Sequence, residues 1–327
     1  MRALVLGATG HIGAHIVRAL LADGHRVRAA YRNDRFLSIL DGLSIERVRV
    51  DLATLDGLHQ ELEGCEWVFH AAGYYPSFLA HREEALAQGV ESTRRILEAI
   101  RRAAPSRVVY TSSAATIQRV PGRCATEQDA EPWPLRGERP LYATVKIAME
   151  HEALRAHQQG LPVVIVNPSL CLGEYDARPF SGRAILAFAK HRMPMYLTHH
   201  FNAVYTGDVG IGHVRAAERG RLGERYLLAC RNLSLKEFAA LVAAASGVPP
   251  PRWRIPYSLA LAAATTSEAI AWVTRREPLL PREVVRTTRM GQYLDGTKAL
   301  RELGLPQTPI EDAIDRALAW FRAHSYL

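Results

Sequence analysis

Short apolar runs alternate with longer amphipathic segments through the first half of the chain. Runs of this kind are expected of strands buried on both faces of a sheet, and they cover 3–6, 26–30, 45–50, 67–70, 107–110 and 163–166. Helical patterns lie between them, at 13–22, 55–62, 82–103 and 142–157. Strands separated by helices predict right-handed βαβ units and an α/β fold with a doubly wound parallel sheet. Ligands of such sheets bind beyond the carboxyl ends of the strands.

The pattern is less regular after Pro168. Proline-containing loops occupy 175–182 and 249–256, and short helical patterns cover 181–190, 234–245 and 310–324. We therefore expect a dinucleotide-binding domain over 1–166 and a smaller, mainly helical substrate-binding lobe over most of 167–327, with segments near 201–230 returning to the first domain. A chain of 327 residues is long enough for this division.

The first predicted strand runs directly into a glycine-rich turn, Gly7-Ala8-Thr9-Gly10-His11-Ile12-Gly13. Glycines at this spacing, between a strand and a helix, are typical of a site for the diphosphate of a dinucleotide. Gly7 permits the sharp exit from the strand, Gly10 lets the backbone approach the diphosphate, and Gly13 allows the helix to pack closely on the sheet. A purely structural turn is the alternative, because any tight strand-to-helix connection can contain glycines.

Two further groups suit proton transfer. Tyr142 and Lys146 are four residues apart, so they share one face of a predicted helix. A nearby ammonium stabilises a phenolate and lowers the pKa of the tyrosine, which can then exchange a proton with a carbonyl or hydroxyl oxygen. Ser112 and Ser113 follow the fifth strand, where a hydroxyl can bind the same oxygen. Each pattern alone has a structural alternative, namely a chance pair on a helix or hydroxyls that cap a turn.

Together and in this order, the glycine turn, the serine pair and the Tyr142/Lys146 pair resemble the extended branch of the short-chain dehydrogenase/reductase superfamily. The resemblance runs nearly end to end, since it also includes Val50-Asp51-Leu52, the segment 68–72, Asn167-Pro168-Ser169 and the C-terminal motif at 294–304. It implies a Rossmann-type sheet with a C-terminal substrate lobe. Within the branch, the chain is similar to the dihydroflavonol-4-reductase-like group, which includes proteins labelled hopanoid-associated sugar epimerases and borders the 3β-hydroxysteroid dehydrogenases.

The resemblance implies roles for particular residues. Tyr142 would be the general acid/base, Lys146 its electrostatic partner and a ligand of the nicotinamide ribose, and Ser113, rather than Ser112, the hydroxyl that orients the substrate. The implied cofactor contacts are Gly7, Thr9, Gly10, His11, Ile12, Gly13, Asp51, Leu52, Ala71, Ala72, Gly73, Tyr142, Lys146, Pro168 and Ser169. One position departs from the family pattern. Gly89 stands where an asparagine is frequent, which puts in doubt any helix contact made through that side chain.

The end of the second strand bears on the choice of cofactor. An enzyme that prefers NAD usually has a carboxylate there for the ribose 2′-hydroxyl, but this chain has Tyr31 followed by Arg32. A guanidinium can pair with a 2′-phosphate and stack on adenine, so Arg32 favours NADP(H) over NAD(H). A solvated arginine on a basic loop is the alternative.

These features predict an NADP(H)-dependent oxidoreductase that reduces a ketone or aldehyde of an apolar or phenolic small molecule, with Tyr142 as the proton donor. Candidate aromatic lining residues are Tyr74, Tyr75, Phe78, Tyr196 and Phe201.

One alternative is a nucleotide-sugar epimerase or dehydratase that binds a diphosphate through arginines of the second lobe, with Arg178, Arg183 and Arg215 as candidates. Another is a 3β-hydroxysteroid dehydrogenase-like enzyme acting on a lipid. A non-enzymatic redox sensor is disfavoured. Such sensors belong to the atypical branch of the superfamily, whose members commonly lack the tyrosine and lysine pair.

Composition narrows the expected partners and compartment. The net charge is +8, yet no nucleic-acid-binding module is recognisable, so nucleic acid is not expected as a partner. The four cysteines are widely scattered without a C-x-x-C pair, which argues against a disulfide framework or a metal site and for a reducing cytoplasm. Met1 leads directly into the first strand, so no signal peptide is expected. A homodimer is compatible with these features.

One basic and apolar segment has no role in this scheme. Between 252 and 290, seven arginines stand against three glutamates, and the segment contains Trp253, Trp272 and an alanine-rich stretch at 258–274. That stretch is too short and too polar to span a membrane. It could rest on an anionic membrane surface or form a helix that covers the substrate pocket, and we expect the second arrangement.

Overall fold

The computed structural model describes residues 1–77, 80–135, 139–190, 195–275, 278–289 and 291–327. The strands are Arg2–Leu6 (β1), Arg26–Tyr31 (β2), Glu46–Arg49 (β3), Trp67–His70 (β4), Arg107–Thr111 (β5), Val163–Pro168 (β6), Leu170–Leu172 (β7), Met195–Tyr196 (β8), His200–Tyr205 (β9), Arg225–Leu228 (β10), Arg231–Ser234 (β11) and Trp253–Arg254 (β12). The α-helices are His11–Ala22 (α1), Leu58–Leu62 (α2), Arg82–Ala103 (α3), Leu141–Gln158 (α4), Gly182–Ala189 (α5), Thr206–Arg219 (α6), Leu235–Ser246 (α7), Tyr257–Thr274 (α8), Arg282–Thr288 (α9), Thr297–Leu303 (α10) and Ile310–Ala323 (α11).

The large sheet has the strand order β3-β2-β1-β4-β5-β6-β10, and its neighbouring strands are all parallel. The chain therefore reverses its direction of travel between β1 and β4, and the carboxyl ends of these two strands flank the crevice where sheets of this kind bind ligands. The prediction of a doubly wound parallel sheet is confirmed.

The alternation of side chains along each strand distributes the core between two faces of the sheet. Val5 points to one face, where it belongs to the same apolar cluster as Ile16 of α1 and Val214 of α6. Leu4 points to the other face and joins Ile96 of α3. Both faces are covered by helices, which explains why the strands are apolar throughout rather than alternating.

A second layer is built on the short sheet β11-β9-β7. Helices α5, α7 and α11 cover this sheet, and their apolar side chains, among them Ile185, Phe238 and Phe321, form a separate core. Next to it, β10 returns to the edge of the large sheet beside β6. The division of the chain at 166/167 stays a prediction.

The sequence pattern did not reveal α6, because glycines at 207, 210 and 212 oppose a helix by propensity. The structure supplies a packing reason for one of them. A Cβ on Gly210 would lie 2.7 Å from the carbonyl oxygen of His15, so the glycine permits α6 to pack directly on the backbone of α1.

The glycine turn is equally tight. Gly7 has φ +84°, and a Cβ on Gly13 would lie 2.1 Å from the carbonyl oxygen of Gly7. A side chain at position 13 would therefore force the first turn of α1 away from the end of β1. This contact fixes the distance between helix and strand at the sheet edge.

We predict that Gly13→Ala destabilises the fold strongly. Because the added methyl meets immobile backbone, the free energy of unfolding should fall by about 3 kcal/mol or more, at the upper end of the cost of overpacking. Gly24→Ala is the control, since Gly24 has φ +75° but open space around a Cβ, and should cost only the backbone strain of about 1 kcal/mol. Urea unfolding measures both, and equal losses would contradict the steric explanation.

Candidate active site

The glycine turn lies where the carboxyl ends of β1 and β4 meet. A Cβ on Gly7 would lie 2.9 Å from the backbone nitrogen of Ala72 and 3.1 Å from the carbonyl carbon of Ala71, so the two strand ends are in backbone contact. Gly10 precedes α1, and no side chain caps the amides of the first helical turn. Amides at such a terminus favour an anionic group.

His11 stands in this first turn, and its ring is held by the neighbouring helix. Its Nε2 lies 2.9 Å from Oγ1 of Thr206, at the start of α6. Burial lowers the pKa of His11, partly offset by the nearby Asp176 and Glu174. The imidazole is therefore neutral at neutral pH and adds no positive charge to the turn. Thr9 and Ile12, also predicted contacts, are half-buried in the same turn.

Three arginines gather around the end of β2. Arg35 and Arg178 lie over the ring of Phe36, with their guanidinium carbons 5.1 Å and 4.6 Å from its centroid. Burial, together with the like charges of Arg32 and Arg35, lowers the pKa of Arg178. Within the part of the chain that the structure describes, none of these three guanidiniums forms an ion pair. The sequence predicted Arg32 as a 2′-phosphate ligand at the end of β2, but Arg35 was missed. Arg178 was expected in the second lobe as a candidate diphosphate ligand.

Asp51 and Leu52 follow β3 at the same edge of the sheet. The Asp51 carboxylate accepts the backbone N–H of Ala53 at 2.9 Å, so it stabilises its own turn. Leu52 is half-buried and packs against the core beneath α3. Both residues lie on the rim of the crevice.

Tyr142 and Ser113 are brought together by α4 and the end of β5. The Tyr142 hydroxyl donates to Oγ of Ser113 at 3.4 Å, and that oxygen also accepts the N–H of Ala115 at 3.1 Å. The Ser112 hydroxyl points elsewhere and donates to the Glu150 carboxylate at 2.5 Å. Of the two serines, Ser113 is therefore the one beside the tyrosine.

Lys146 is buried one helical turn beyond Tyr142. Its Nζ lies 5.9 Å from the centroid of the Tyr142 ring, and a Cβ on Gly73 would lie only 2.7 Å from this nitrogen. Glycine at position 73 thus leaves room for the ammonium. Burial lowers the pKa of Lys146 to about 8, although the carboxylate of Glu150 raises it in part.

The pKa of Tyr142 does not shift in the direction expected from the sequence. Burial raises it, and hydrogen bonds with Ser113 and Tyr75 offset this only in part. Desolvation of the phenolate outweighs the ammonium at its observed distance. Tyr142 is therefore a protonated phenol at neutral pH, which suits a proton donor.

Aromatic side chains from both layers surround Tyr142. Tyr75 stacks on it with ring centroids 5.6 Å apart and planes inclined by 17°, and Phe180 lies 6.2 Å from Tyr142 and 5.8 Å from Tyr75. Tyr75 and Phe180 are both more than half exposed, so they form an apolar rim beside the tyrosine. Phe180, which precedes α5, was missed because it lies in an irregular loop.

Among the described residues, the aromatic contacts of Tyr142 do not include the other predicted lining residues. Tyr74 donates to Gln88 of α3 at 3.0 Å, and its ring occupies the space beside Gly89, where the family often has an asparagine. Tyr196 lies on β8, and Phe201 packs against Phe238 in the second core. Phe78 lies outside the described residues.

Glu150 connects the site to the sheet behind it. It lies on the same face of α4 as Tyr142 and Lys146, and its carboxylate accepts hydrogen bonds from Ser112, Thr116 (3.0 Å) and Asn167 (2.6 Å). The Nε of Arg225 on β10 donates to its second oxygen at 2.6 Å. Asn167 also donates to the carbonyl oxygen of Ser113 at 3.3 Å. This network holds the strand end that carries Ser113. The spacing of four and eight residues from Tyr142 is the sequence signal that could have revealed it.

Several polar atoms at the carboxyl ends of β4 and β6 have no partner within the described residues. They include Oγ of Ser169, next to Pro168, Oδ1 of Asn167, and the two ring nitrogens of His70. Burial and the nearby Lys146 lower the pKa of His70 to about 4, so its ring is neutral. Together with the uncapped start of α1 and the glycine cradle, the unpaired Ser169 hydroxyl fits a bound dinucleotide. Among the described residues, no three His, Cys, Asp or Glu side chains cluster as metal ligands would.

Comparison with known proteins identifies the family. The sequence profile of the NAD dependent epimerase/dehydratase family matches residues 3–229. The chain belongs to this family. It is an extended short-chain dehydrogenase/reductase, and its enzymatic class is NAD(P)-dependent oxidoreductase.

Similar members of the family have reductase and epimerase names. The chain is 37% identical to a putative dihydroflavonol 4-reductase from Synechocystis, over 99% of this chain and 95% of the relative. It is 35% identical to sterol demethylase protein B of Methylococcus capsulatus, over 98% of both chains. A solved nucleoside-diphosphate-sugar epimerase from Pseudomonas aeruginosa superposes with a TM-score of 0.83 at 30% identity, over 100% of this chain and 99% of the other.

We predict that Glu150→Gln destabilises the protein. The substitution removes the charge that compensates Arg225 within a largely buried pair, and loss of one partner of such a pair costs about 3 kcal/mol. Glu98→Gln is the matched control, because Glu98 also lies on a helix beside two arginines but in solvent, and it should change stability little. Urea unfolding of both variants tests this expectation, and equal stability of the two would contradict it.

Proposed function

We propose that this enzyme reduces a ketone or aldehyde with NADPH, and that Tyr142 donates the proton. The observation that carries the proposal is the half-buried Tyr142 hydroxyl within hydrogen-bonding distance of Ser113. The raised pKa of Tyr142 keeps this hydroxyl protonated at neutral pH. Two O–H groups that converge on one position can bind a carbonyl oxygen and stabilise the negative charge that develops there. When bound, NADPH supplies the hydride.

Each residue of the site has a part in this proposal. Ser113 orients the carbonyl oxygen, and Tyr142 transfers its proton to that oxygen as the charge grows. Lys146 is positively charged below its pKa of about 8 and stabilises the resulting phenolate until the tyrosine is reprotonated. The amides at the start of α1 would hold the diphosphate, while Ala71, Ala72, Gly73, Pro168 and Ser169 would line the remainder of the cofactor.

The arginine cluster supports NADP(H) over NAD(H). Arg32, Arg35 and Arg178 concentrate positive charge at the end of β2, and like-charge repulsion among them is relieved when a dianionic group binds. A 2′-phosphate meets this requirement, whereas a 2′-hydroxyl does not. Arg178 belongs to the chain after β7 and would therefore contact the cofactor from the opposite side of the crevice.

The rim of Tyr75 and Phe180 supports an apolar, ring-bearing substrate. The names of two relatives, a dihydroflavonol reductase and a sterol demethylase protein, agree with this class. The alternative of a nucleotide-sugar epimerase, suggested by the similar solved structure, has weaker support. Two of the arginines that would bind the diphosphate in that alternative have other contacts. Arg215 is paired with Glu218 at 2.7 Å, and Arg178 belongs to the cluster around Phe36.

The proposal also covers the cellular compartment and the oligomeric state of the protein. All four cysteines are free thiols, which supports a reducing cytoplasm. The homodimer and the lack of a nucleic-acid partner stay predictions from the sequence.

We predict that Tyr142→Phe lowers turnover by roughly 10²- to 10⁴-fold, the range for loss of a general acid, while NADPH binding is retained. NADPH oxidation is followed with a dihydroflavonol and with a 3-ketosteroid, conversion of UDP-glucose to its epimer is followed separately in the presence of NAD, and cofactor binding is followed by fluorescence. Tyr226→Phe is the control, because the Tyr226 hydroxyl bonds to Arg221 and Glu302 rather than to a residue of the site, and its turnover should match that of the wild type. Full activity of Tyr142→Phe would refute the assignment, and epimerisation of UDP-glucose without reduction of either ketone would favour the alternative function.

We predict that Arg32→Ala and Arg178→Ala each weaken binding of NADPH roughly tenfold, as expected for the loss of one charge-assisted contact to phosphate. Binding of NADH should change little, because it lacks the 2′-phosphate. The comparison is made by fluorescence titration with both nucleotides and with 2′,5′-ADP. Arg102→Ala, an exposed arginine on α3, is the control. Equal losses for NADH and NADPH would exclude a role in recognising the phosphate.

A further inference from the structure

Helix α8 and the chain around it present an exposed apolar surface, here called the α8 face. Its members are Trp253, Leu259, Ile270, Trp272, Val273 and Leu279. Four of them lie on α8 itself, with exposed fractions of 62% for Leu259, 58% for Ile270, 83% for Trp272 and 74% for Val273. Several large exposed apolar side chains in one part of a protein frequently mark a contact with a partner.

The α8 face is not the packing side of the helix. Ala260, Ala264 and Ala271 form the buried side, which packs on Val285 of α9. Leu259, Ala262, Ala263, Thr266, Ile270 and Val273 recur at helical spacing away from this buried side, and Trp272 lies on the other flank of the exposed half of the helix; all are exposed. The helix therefore has a narrow alanine side toward the protein and a broader apolar side toward solvent. The expected role of this helix as a cover of the substrate pocket stays a prediction from the sequence.

Unpaired arginines precede and follow α8 along the chain, and Arg289 lies over the ring of Tyr257 at the start of the helix. Arg252, Arg254, Arg275, Arg286 and Arg289 belong to this part of the chain, and none of them forms an ion pair with a described carboxylate. The two described carboxylates of the region are already engaged. Glu268 pairs with Arg282, and Glu283 accepts the backbone N–H of Leu141. These arginines, here called the rim of the α8 face, therefore give this part of the chain a local excess of positive charge.

We propose that the α8 face binds the surface of an anionic lipid bilayer. An apolar stripe with exposed tryptophans suits the boundary between headgroups and acyl chains, and a rim of arginines suits anionic headgroups. A second copy of the chain is a poorer match, because a symmetric contact would bring the same arginines face to face. None of the described helices has the length and hydropathy to cross a bilayer, so the contact is interfacial.

The position of the α8 face links it to the active site. Glu283 of α9 binds the backbone of Leu141, the residue before Tyr142, so α8 and α9 lie beside the start of the catalytic helix. A lipid-like ketone dissolved in the membrane could enter the crevice from there. This last step rests on the proposed reductase function, whereas membrane binding itself does not.

The test is flotation of the full-length protein with vesicles of phosphatidylcholine, with or without an equal part of phosphatidylglycerol. We expect binding only to the vesicles with phosphatidylglycerol, a blue shift of tryptophan fluorescence, and release at high salt. Ile270→Ser with Trp272→Ser, and separately Arg275→Gln with Arg286→Gln, should each reduce the bound fraction about tenfold. Leu300→Ser, and Arg102→Gln with Arg322→Gln, are exposed controls elsewhere on the protein and should bind like the wild type.

Several results would overturn the proposal. They are absence of binding to anionic vesicles, equal binding to both kinds of vesicle, and normal binding by the α8 variants. Self-association in sedimentation velocity that the Ile270 and Trp272 changes abolish, without vesicle binding, would assign the α8 face to a second copy instead. Circular dichroism and NADPH titration verify that each variant is folded. Because no substrate is present, failure of the reductase proposal leaves these results unaffected.

Discussion

The structure depends on one close backbone approach, in which the start of α1 lies against the ends of β1 and β4. Gly7 and Gly13 permit it, since a methyl group at either position would collide with backbone atoms. This contact fixes α1 above the sheet edge, and α6 then packs on α1 through Gly210. The ends of β2, β5 and β6 lie along the same edge. The positions of the arginine cluster, the serine pair and the unpaired Ser169 hydroxyl all follow from it.

Desolvation determines the protonation states around Tyr142. Burial acts in opposite directions on the two partners, because it removes water from an anion in one case and from a cation in the other. It therefore raises the pKa of Tyr142 and lowers that of Lys146. Tyr142 is therefore a neutral phenol, and the pKa of the neighbouring ammonium is close to neutral pH. This arrangement suits the donation of a proton by Tyr142. The expectation from spacing alone, a tyrosine acidified by its lysine, neglected the cost of burying the phenolate.

Local patterns predicted those parts of the molecule that local interactions specify. The apolar runs located β1 to β6, and the glycine spacing located the turn. Elements that depend on distant partners were missed. Helix α6 contains Gly210, which is required because α1 packs against it, and this contact cannot be read from the sequence. Strand β9 was missed because its polar side chains, His200 and Asn202, interrupt the apolar pattern. Within the site, Ser113 and Tyr142 came from recognisable motifs, while Arg35, Phe180 and Glu150 did not, because their importance lies in neighbours remote along the chain.

The hydrogen bonds of Glu150 have a consequence for how the protein is made. This buried carboxylate is compensated by Asn167 and Arg225, which come later in the chain. While a ribosome has produced only the first six strands, the acid lacks its counterion and the edge of the sheet lacks β10. The large sheet therefore extends to residue 228, at the end of β10, and the first half of the chain lacks the counterion of this acid. A chimera that exchanges substrate lobes between relatives would have to keep β10 with the large sheet. A junction directly after β6 would separate Glu150 from Arg225.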